Sequence, residues 1–232
     1  MNTSPVAVVT GASSGIGAQI AKELMENGWR VAAFDLRENP QTDLCILVDV
    51  TYESNICAAI DHVEKTFGKV DAVVAAAGYY EETPFTEISL PDWQRMLRVH
   101  IAGVHNLLRA ALPGMLRRHK GAFVTIASER AIGGGCNDAH YASAKAAALA
   151  LTRSAASEFA SHGIRINAVA PGPTDTPLLP ADSWERQRDF LDTLPVPRIA
   201  NTHEIALAVR SLIEDEHFLS GEVISINSGT VI

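Results

Sequence analysis

Positive charge, cysteine and long apolar runs are all scarce in this chain, and each scarcity excludes something. With 19 Lys and Arg against 27 Asp and Glu, the formal net charge is −8. That balance excludes the basic footprint that nucleic acid demands. The three cysteines, Cys45, Cys57 and Cys136, are odd in number and match no metal-ligand spacing, so neither a disulfide framework nor a bound metal is expected. They read as reduced cytosolic thiols, with Cys45 and Cys57 serving as small core residues. No apolar run spans a bilayer, and Met1 to Pro5 carries no basic leader or cleavage pattern. A soluble cytoplasmic protein without a membrane partner is the expectation.

What is present is a globular composition. The 232 residues are 47% apolar and 20% charged, enough to bury a large core and too apolar for disorder. Short apolar runs at Val6–Thr10, Arg30–Phe34, Leu44–Val48, Ala72–Ala76, Ala122–Ile126, Arg165–Val169 and Val223–Ile226 predict strands. Helical patterns near 15–27, 53–67, 90–119, 139–162 and 203–214 lie between them. Continuous apolar strands separated by helices imply a parallel sheet covered on both faces. The fold class is therefore α/β: a doubly wound, seven-stranded parallel sheet, in a single domain over residues 1–232.

One region breaks this rhythm. Pro171 to Ala200 holds Pro173, Pro177, Pro180, Pro195 and Pro197 around a short helical pattern near Trp184 to Leu191. A long irregular excursion in a compact domain is usually functional. Its position after a strand, at the edge where such sheets bind ligands, suggests a substrate lid near residues 173–200.

Two short segments carry chemistry. Gly11, Gly15 and Gly17 sit between the first strand and the first helix, where backbone amides and the helix dipole can hold a pyrophosphate. Asp35 ends the second strand, where a carboxylate accepts from ribose hydroxyls and repels a 2′-phosphate. That favours NAD over NADP. Arg37 is the counter-signal, while neither Ser13 nor Ser14 is basic. Asp49-Val50 follows the third strand and can meet the adenine edge; a helix N-cap is the alternative for Asp49. Further on, Tyr141 and Lys145 are four residues apart, hence on one helix face. A phenol needs its proton affinity lowered from near pH 10 to act as a base, and a lysine ammonium one turn away would do that. Ser128, at the end of the fifth strand, can hold a substrate oxygen. Together these point to a dinucleotide-dependent oxidoreductase.

The same residues make the chain resemble the short-chain dehydrogenase/reductase family. The matching pieces are Thr10-Gly11-Ala12-Ser13-Ser14-Gly15-Ile16-Gly17, Asp49-Val50, Ala77-Gly78, Ser128, Tyr141 with Lys145, and Arg165-Ile166-Asn167-Ala168-Val169-Ala170-Pro171-Gly172. The resemblance implies a Rossmann-like fold, a nicotinamide cofactor and a homo-oligomer, either dimer or homotetramer. It implies Tyr141 as acid/base, Lys145 as ribose ligand and tuner, and Ser128 as orienter. The cofactor-binding set it implies is Gly11, Ser13, Ser14, Gly15, Ile16, Gly17, Asp35, Asp49, Val50, Ala76, Ala77, Gly78, Tyr141, Lys145, Pro171, Gly172, Thr174 and Thr176.

Three departures stand out. His100 occupies the position where the family commonly has an asparagine of a proton relay; it is either a substitute, adding a pH dependence near neutrality, or a packed side chain. Ala75-Ala76 replaces a common Asn-Asn, which predicts weaker support between strands. Asn227-Ser228-Gly229 stands where Asp-Gly-Gly is frequent. The expected substrate is a small secondary alcohol or its ketone. Its pocket walls are expected to be Tyr79, Tyr80, Glu129, Arg130, Gly133–Gly135, Leu178, Leu179 and Trp184, with Arg130 as an anionic handle. The competing readings are an NADPH-dependent 3-oxoacyl-thioester reductase, a dihydrodiol dehydrogenase, and a cofactor-binding protein with weakened catalysis.

Overall fold

The apolar runs form one sheet of seven parallel strands in the order β3-β2-β1-β4-β5-β6-β7. The structure is a computed structural model and describes residues 4–38, 41–214 and 219–231. The strands are β1 (Val6–Thr10), β2 (Arg30–Asp35), β3 (Leu44–Leu47), β4 (Ala72–Ala75), β5 (Gly121–Ile126), β6 (Ile164–Pro171) and β7 (Val223–Ile226). The helices are α1 (Gly15–Glu26), α2 (Glu53–Phe67), α3 (Leu90–Leu97), α4 (Gly103–Arg118), α5 (Arg130–Gly133), α6 (Ala139–Phe159), α7 (Arg188–Leu191) and α8 (Thr202–Glu214).

The two-residue period of a strand divides the core. Val6 and Val8 of β1 pack with Ile56, Ile60 and Val63 of α2 and Leu107 and Met115 of α4. Ala7 and Val9 face the other way, onto Ile20 and Leu24 of α1 and Ile205 and Val209 of α8. A strand with both faces buried has no polar side to show, which is why these runs are unbroken. Cys45 and Cys57 are only half-buried and Cys136 is exposed, so the expected core role of the first two is corrected; none is in a disulfide.

β1 is hydrogen-bonded to β2 on one side and β4 on the other, in register Ala7 to Val31 and Ala7 to Ala72. The chain therefore winds outward to β3, crosses back to β4 and winds the opposite way. A crevice opens outside the strand C-termini at that reversal. Gly11, Asp35, Ala76, Ser128 and Gly172 all follow or end strands on that rim.

The helical pattern over 90–119 is two helices, not one. Between α3 and α4 the residues Arg98–Ala102 form a π-helical turn. Such a turn inserts one residue into the helical ladder and re-aims the side chain it carries. Here that side chain is His100, only 2% exposed. The proline-rich excursion is closed at its base by a parallel bridge between Thr174 and Ala200. The Asp175 N–H donates to the Ala200 carbonyl at 2.8 Å, and the Ala200 N–H to that of Pro173 at 2.9 Å. Its ends are thus held together at the sheet edge.

Candidate active site

The glycine turn is shaped by close approach. Gly11 has φ +65°, and a Cβ on Gly17 would lie 2.2 Å from the Gly11 carbonyl oxygen. Helix α1 opens at Ser14 without a side-chain cap and with no acidic residue in its first turn. Its leading N–H groups are consequently open to an anion in the crevice. Thr10 supports this turn from below. Its hydroxyl oxygen accepts from the Ala76 and Ala77 N–H groups, at 3.0 Å each. One buried hydroxyl thereby supplies interstrand support that the Ala75-Ala76 pair was expected to lack.

At the rim, Asp35 accepts from the Ser13 N–H at 3.0 Å and the Arg37 N–H at 3.1 Å. The Arg37 guanidinium reaches across to the Ser14 hydroxyl at 3.4 Å. Asp49 does not cap α2; its carboxylate accepts from the Thr51 N–H at 2.8 Å, in a turn that presents Val50 to the crevice.

These residues line one cleft of about 560 Å³. Around it the structure gathers Ser128, Tyr141, Lys145 and every expected cofactor residue except Ser13. Ser13 is displaced because its backbone is turned toward Asp35 and its hydroxyl is buried without a partner. Among the described residues no group of three or more His, Cys, Asp or Glu is disposed to hold a metal ion.

Tyr141 and Lys145 lie in the first turns of α6. The Lys145 Nζ donates to the Ile126 carbonyl at 2.7 Å and lies 5.6 Å from the centre of the Tyr141 ring. Burial pushes the lysine down to about 8. Burial also pushes the Tyr141 phenol up to about 12, a shift opposed by a hydrogen bond with Ser128. The expected lowering by Lys145 is thus not found. Desolvation disfavours both charged forms, and the ammonium is turned toward a carbonyl.

His100 packs on this pair, its ring 5.4 Å from that of Tyr141 and edge-on to it. Its Nε2 is 2.9 Å from the Tyr79 carbonyl oxygen, and its Nδ1 is buried without a partner. Burial, with Lys145 and His140 adding repulsion, holds the imidazole well below its usual value of 6.5. His100 is therefore neutral near pH 7, which speaks against a pH dependence near neutrality, the first of the two readings offered for it.

The far end of the cleft is lined by Tyr79, Tyr80, Glu129, Arg130, Leu178 and Leu179. Gly133–Gly135 and Trp184 lie outside it; Trp184 packs edge-on against Phe190 at 4.6 Å instead. Arg130 is not an available anionic handle. Its Nη2 donates to Glu185 at 3.0 Å and its Nε lies 3.5 Å from Asp138. Sequence reasoning missed both partners. Glu185 sits in the irregular excursion, where no periodicity announces an inward side chain, and Asp138 reads as a helix start.

The family model described as enoyl-(acyl carrier protein) reductase matches residues 11–231. The chain belongs to the short-chain dehydrogenase/reductase family. It is 37% identical to cis-4-hydroxycyclohexanecarboxylate dehydrogenase of Sinomonas cyclohexanicum, over 97% of this chain and 95% of that protein. It is 31% identical to the 3-oxoacyl-[acyl-carrier-protein] reductase FabG of Salmonella typhimurium, over 97% and 96%. Among solved structures, the ligand-free aldohexose dehydrogenase of Thermoplasma acidophilum aligns with a TM-score of 0.91 at 29% identity, over 97% of this chain and 93% of that one. The 3-ketoacyl-(acyl-carrier-protein) reductase of Brucella melitensis complexed with NADH aligns at 0.91 and 26%, over 98% of each chain. ElxO with NADP bound aligns at 0.92 and 29%, over 98% of each. This family member is an oxidoreductase that moves a hydride between a nicotinamide cofactor and a small alcohol or ketone. No helix among the described residues is long and apolar enough to cross a membrane.

Proposed function

We propose that the chain is an NAD-dependent dehydrogenase of a secondary alcohol, with Tyr141 as its acid/base. The observation that carries this is the half-buried Tyr141 phenol, which lines the cleft with Ser128 one helical turn from Lys145. The cleft fits a nicotinamide dinucleotide. The uncapped start of α1 can take the pyrophosphate, the Asp35 carboxylate the ribose hydroxyls, and the Lys145 amine the second ribose. Bound there, the cofactor supplies the hydride acceptor. Ser128 donates to the substrate oxygen and holds it beside the Tyr141 Oη. As the alcohol is oxidised, Tyr141 takes the hydroxyl proton; in reduction it returns one. The Lys145 ammonium favours the phenolate once it is turned from the Ile126 carbonyl toward the phenol.

Asp35 supports NAD over NADP, because both its oxygens stay on the rim and a 2′-phosphate would meet their charge. The segment near 173–200 acts as the lid, with Leu178, Leu179 and Glu185 as its inner face. A cytoplasmic dimer or homotetramer is the working assembly, a reading supported by family membership and checked by sedimentation. The second reading, an NADPH-dependent 3-oxoacyl-thioester reductase, rests on the FabG relatives. Steady-state turnover of cyclic alcohols with NAD, against a 3-oxoacyl thioester with NADPH, decides between them. A preference for the thioester pair overturns the dehydrogenase reading.

A further inference from the structure

The segment over 173–200 is fixed to the body at its two ends. Thr174 and Ala200 are bridged, the Val196 N–H donates to the Ser228 carbonyl at 3.1 Å, and the Ser228 hydroxyl donates to the Arg198 carbonyl at 2.7 Å. Between these anchors the span is braced within itself. The Arg186 guanidinium donates to the Asp175 carboxylate at 2.7 Å and to the Leu179 and Pro180 carbonyls at 3.0 Å each. The span also crosses both halves of the cleft. A Cβ on Gly15, in the glycine turn, would stand 3.4 Å from that of Thr176, while Leu178, Leu179 and Glu185 line the far end.

Glu185 is the exception in an exposed span. Among the described residues it is the one buried residue between Asp175 and Thr193, at 8% exposed. Its Oε1 accepts from the Arg130 guanidinium at 3.0 Å. Among the described residues, that is also the one hydrogen bond or ion pair joining 176–194 to anything outside 173–200. A carboxylate gives up its hydration only for a partner that compensates the loss, and this partner belongs to the active site. The Arg130 backbone N–H donates to the Ser128 hydroxyl at 3.2 Å. Its Nε lies 3.5 Å from Asp138, the residue before α6. The Tyr80 hydroxyl donates to the same Asp138 at 3.3 Å, and the Tyr80 ring stands edge-on to that of Tyr141 at 4.9 Å.

Such a pair can break and reform. When the span lifts, Glu185 returns to water, where a carboxylate is well solvated, and Arg130 keeps Asp138. Neither position strands a buried charge.

We infer that Glu185 and Arg130 are positioning residues: their ion pair latches the lid shut over the cleft and thereby sets how tightly the alcohol is held. This rests on the reading of residues 173–200 as a substrate lid.

The test is a double-mutant cycle on the full chain, Glu185→Ala, Arg130→Gln and the two combined, with two readouts. The first is chymotrypsin cleavage after Phe190 in the protein without cofactor or substrate, followed by mass. Phe190 is five residues beyond Glu185, so the substitution stays clear of the scissile bond, and the cleavage rate follows the open population. Glu185→Ala is expected to raise that rate about fivefold or more. Glu185→Gln is expected to raise it less, and Glu185→Lys, which repels Arg130, to raise it more. The second readout is steady-state oxidation of cyclohexanol with saturating NAD. Glu185→Ala is expected to raise the cyclohexanol KM about fivefold or more, with a smaller effect on kcat. In the Arg130→Gln background the same change is expected to add less than about twofold to either readout.

Additive effects across the cycle overturn the inference, because they show two side chains acting separately. So does wild-type cleavage and KM in Glu185→Ala, or a loss confined to kcat. If wild type oxidises no alcohol, the dehydrogenase reading fails, and the cleavage cycle alone still decides the latch. If Arg130→Gln does not fold, the series at position 185 decides, and equal cleavage of the Gln, Ala and Lys variants overturns the latch.

Discussion

The His100 Nε2 lies 2.9 Å from the Tyr79 carbonyl oxygen and 3.4 Å from the Tyr79 N–H nitrogen, while its Nδ1 is buried without a partner. The π-helical turn at Arg98–Ala102 carries this side chain, and a Cβ on Gly78 would come within 2.5 Å of the ring. His100 is thus packed tightly, neutral, and left with an unpartnered ring nitrogen beside Tyr141 and Lys145. His100→Ala is expected to lower kcat about tenfold or more with little change in NAD affinity, and His100→Asn to recover much of that loss, as for one lost hydrogen bond in a proton path. The pH–rate profile near neutrality is expected to be unchanged by His100→Asn, because the buried ring does not titrate there. Stability behaves differently. The folded ring stays neutral well below 6.5, whereas the unfolded one gains a proton below that value. Wild type therefore loses stability on acidification through this group, by up to about 1.4 kcal/mol per pH unit, and His100→Asn is expected to flatten that limb.

Thr10 bears on the phosphate turn rather than on the chemistry. Thr10→Val removes the acceptor of both the Ala76 and Ala77 N–H groups. It is expected to cost about 1–3 kcal/mol in stability, read by chemical denaturation, and to raise KM for the cofactor. Thr10→Ser keeps the oxygen and is expected to retain cofactor KM. Identical behaviour of the two variants would remove the hydroxyl from this role.

Cofactor choice is expected to follow Asp35. Wild type is expected to prefer NAD in kcat/KM, and Asp35→Ala to narrow the gap by about tenfold, the scale of one charged hydrogen bond. Asp35→Ala also leaves the Arg37 guanidinium, near Ser14, without an opposing carboxylate where a 2′-phosphate would lie. A wild-type preference for NADP would contradict the proposal.

Glu129 sets a pH dependence of stability that is independent of turnover. Its carboxyl sits at about 7 in the folded chain against an ordinary 4.5, so between those values the folded state binds more protons than the unfolded one. Stability consequently falls as pH rises through this window. Glu129→Gln is expected to raise the melting temperature by roughly 2–4 °C at about pH 8 and to leave it unchanged at about pH 4.5. The groups facing this carboxyl are Arg130 and Glu185, and both remain in the variant.

The strands were legible because a doubly covered sheet demands unbroken apolar runs, and Val6–Thr10 has no other reading at that length. The glycine turn, Asp35, Ser128, Tyr141 and Lys145 were legible because their spacing along strands and helices is local. Arg130 was misread because its meaning is set by Glu185, distant in sequence and carried by an irregular segment. The helix over 90–119 hid a π-helical turn, since one inserted residue barely disturbs a 3.6-residue apolar pattern. Thr10 looked like an ordinary strand end. Only the crossing to β4 gives its hydroxyl two amides to hold.

The most direct measurement is single-turnover oxidation by Tyr141→Phe beside an independent determination of NADH affinity by fluorescence. The substitution removes the phenolic oxygen that takes the proton and leaves the ring packed against Tyr80 and His100. Turnover is expected to fall by about a hundredfold or more, with the NADH dissociation constant within about twofold of wild type. Lys145→Ala, by contrast, is expected to damage both quantities. Near-wild-type turnover by Tyr141→Phe would contradict the assignment of Tyr141 as the acid/base.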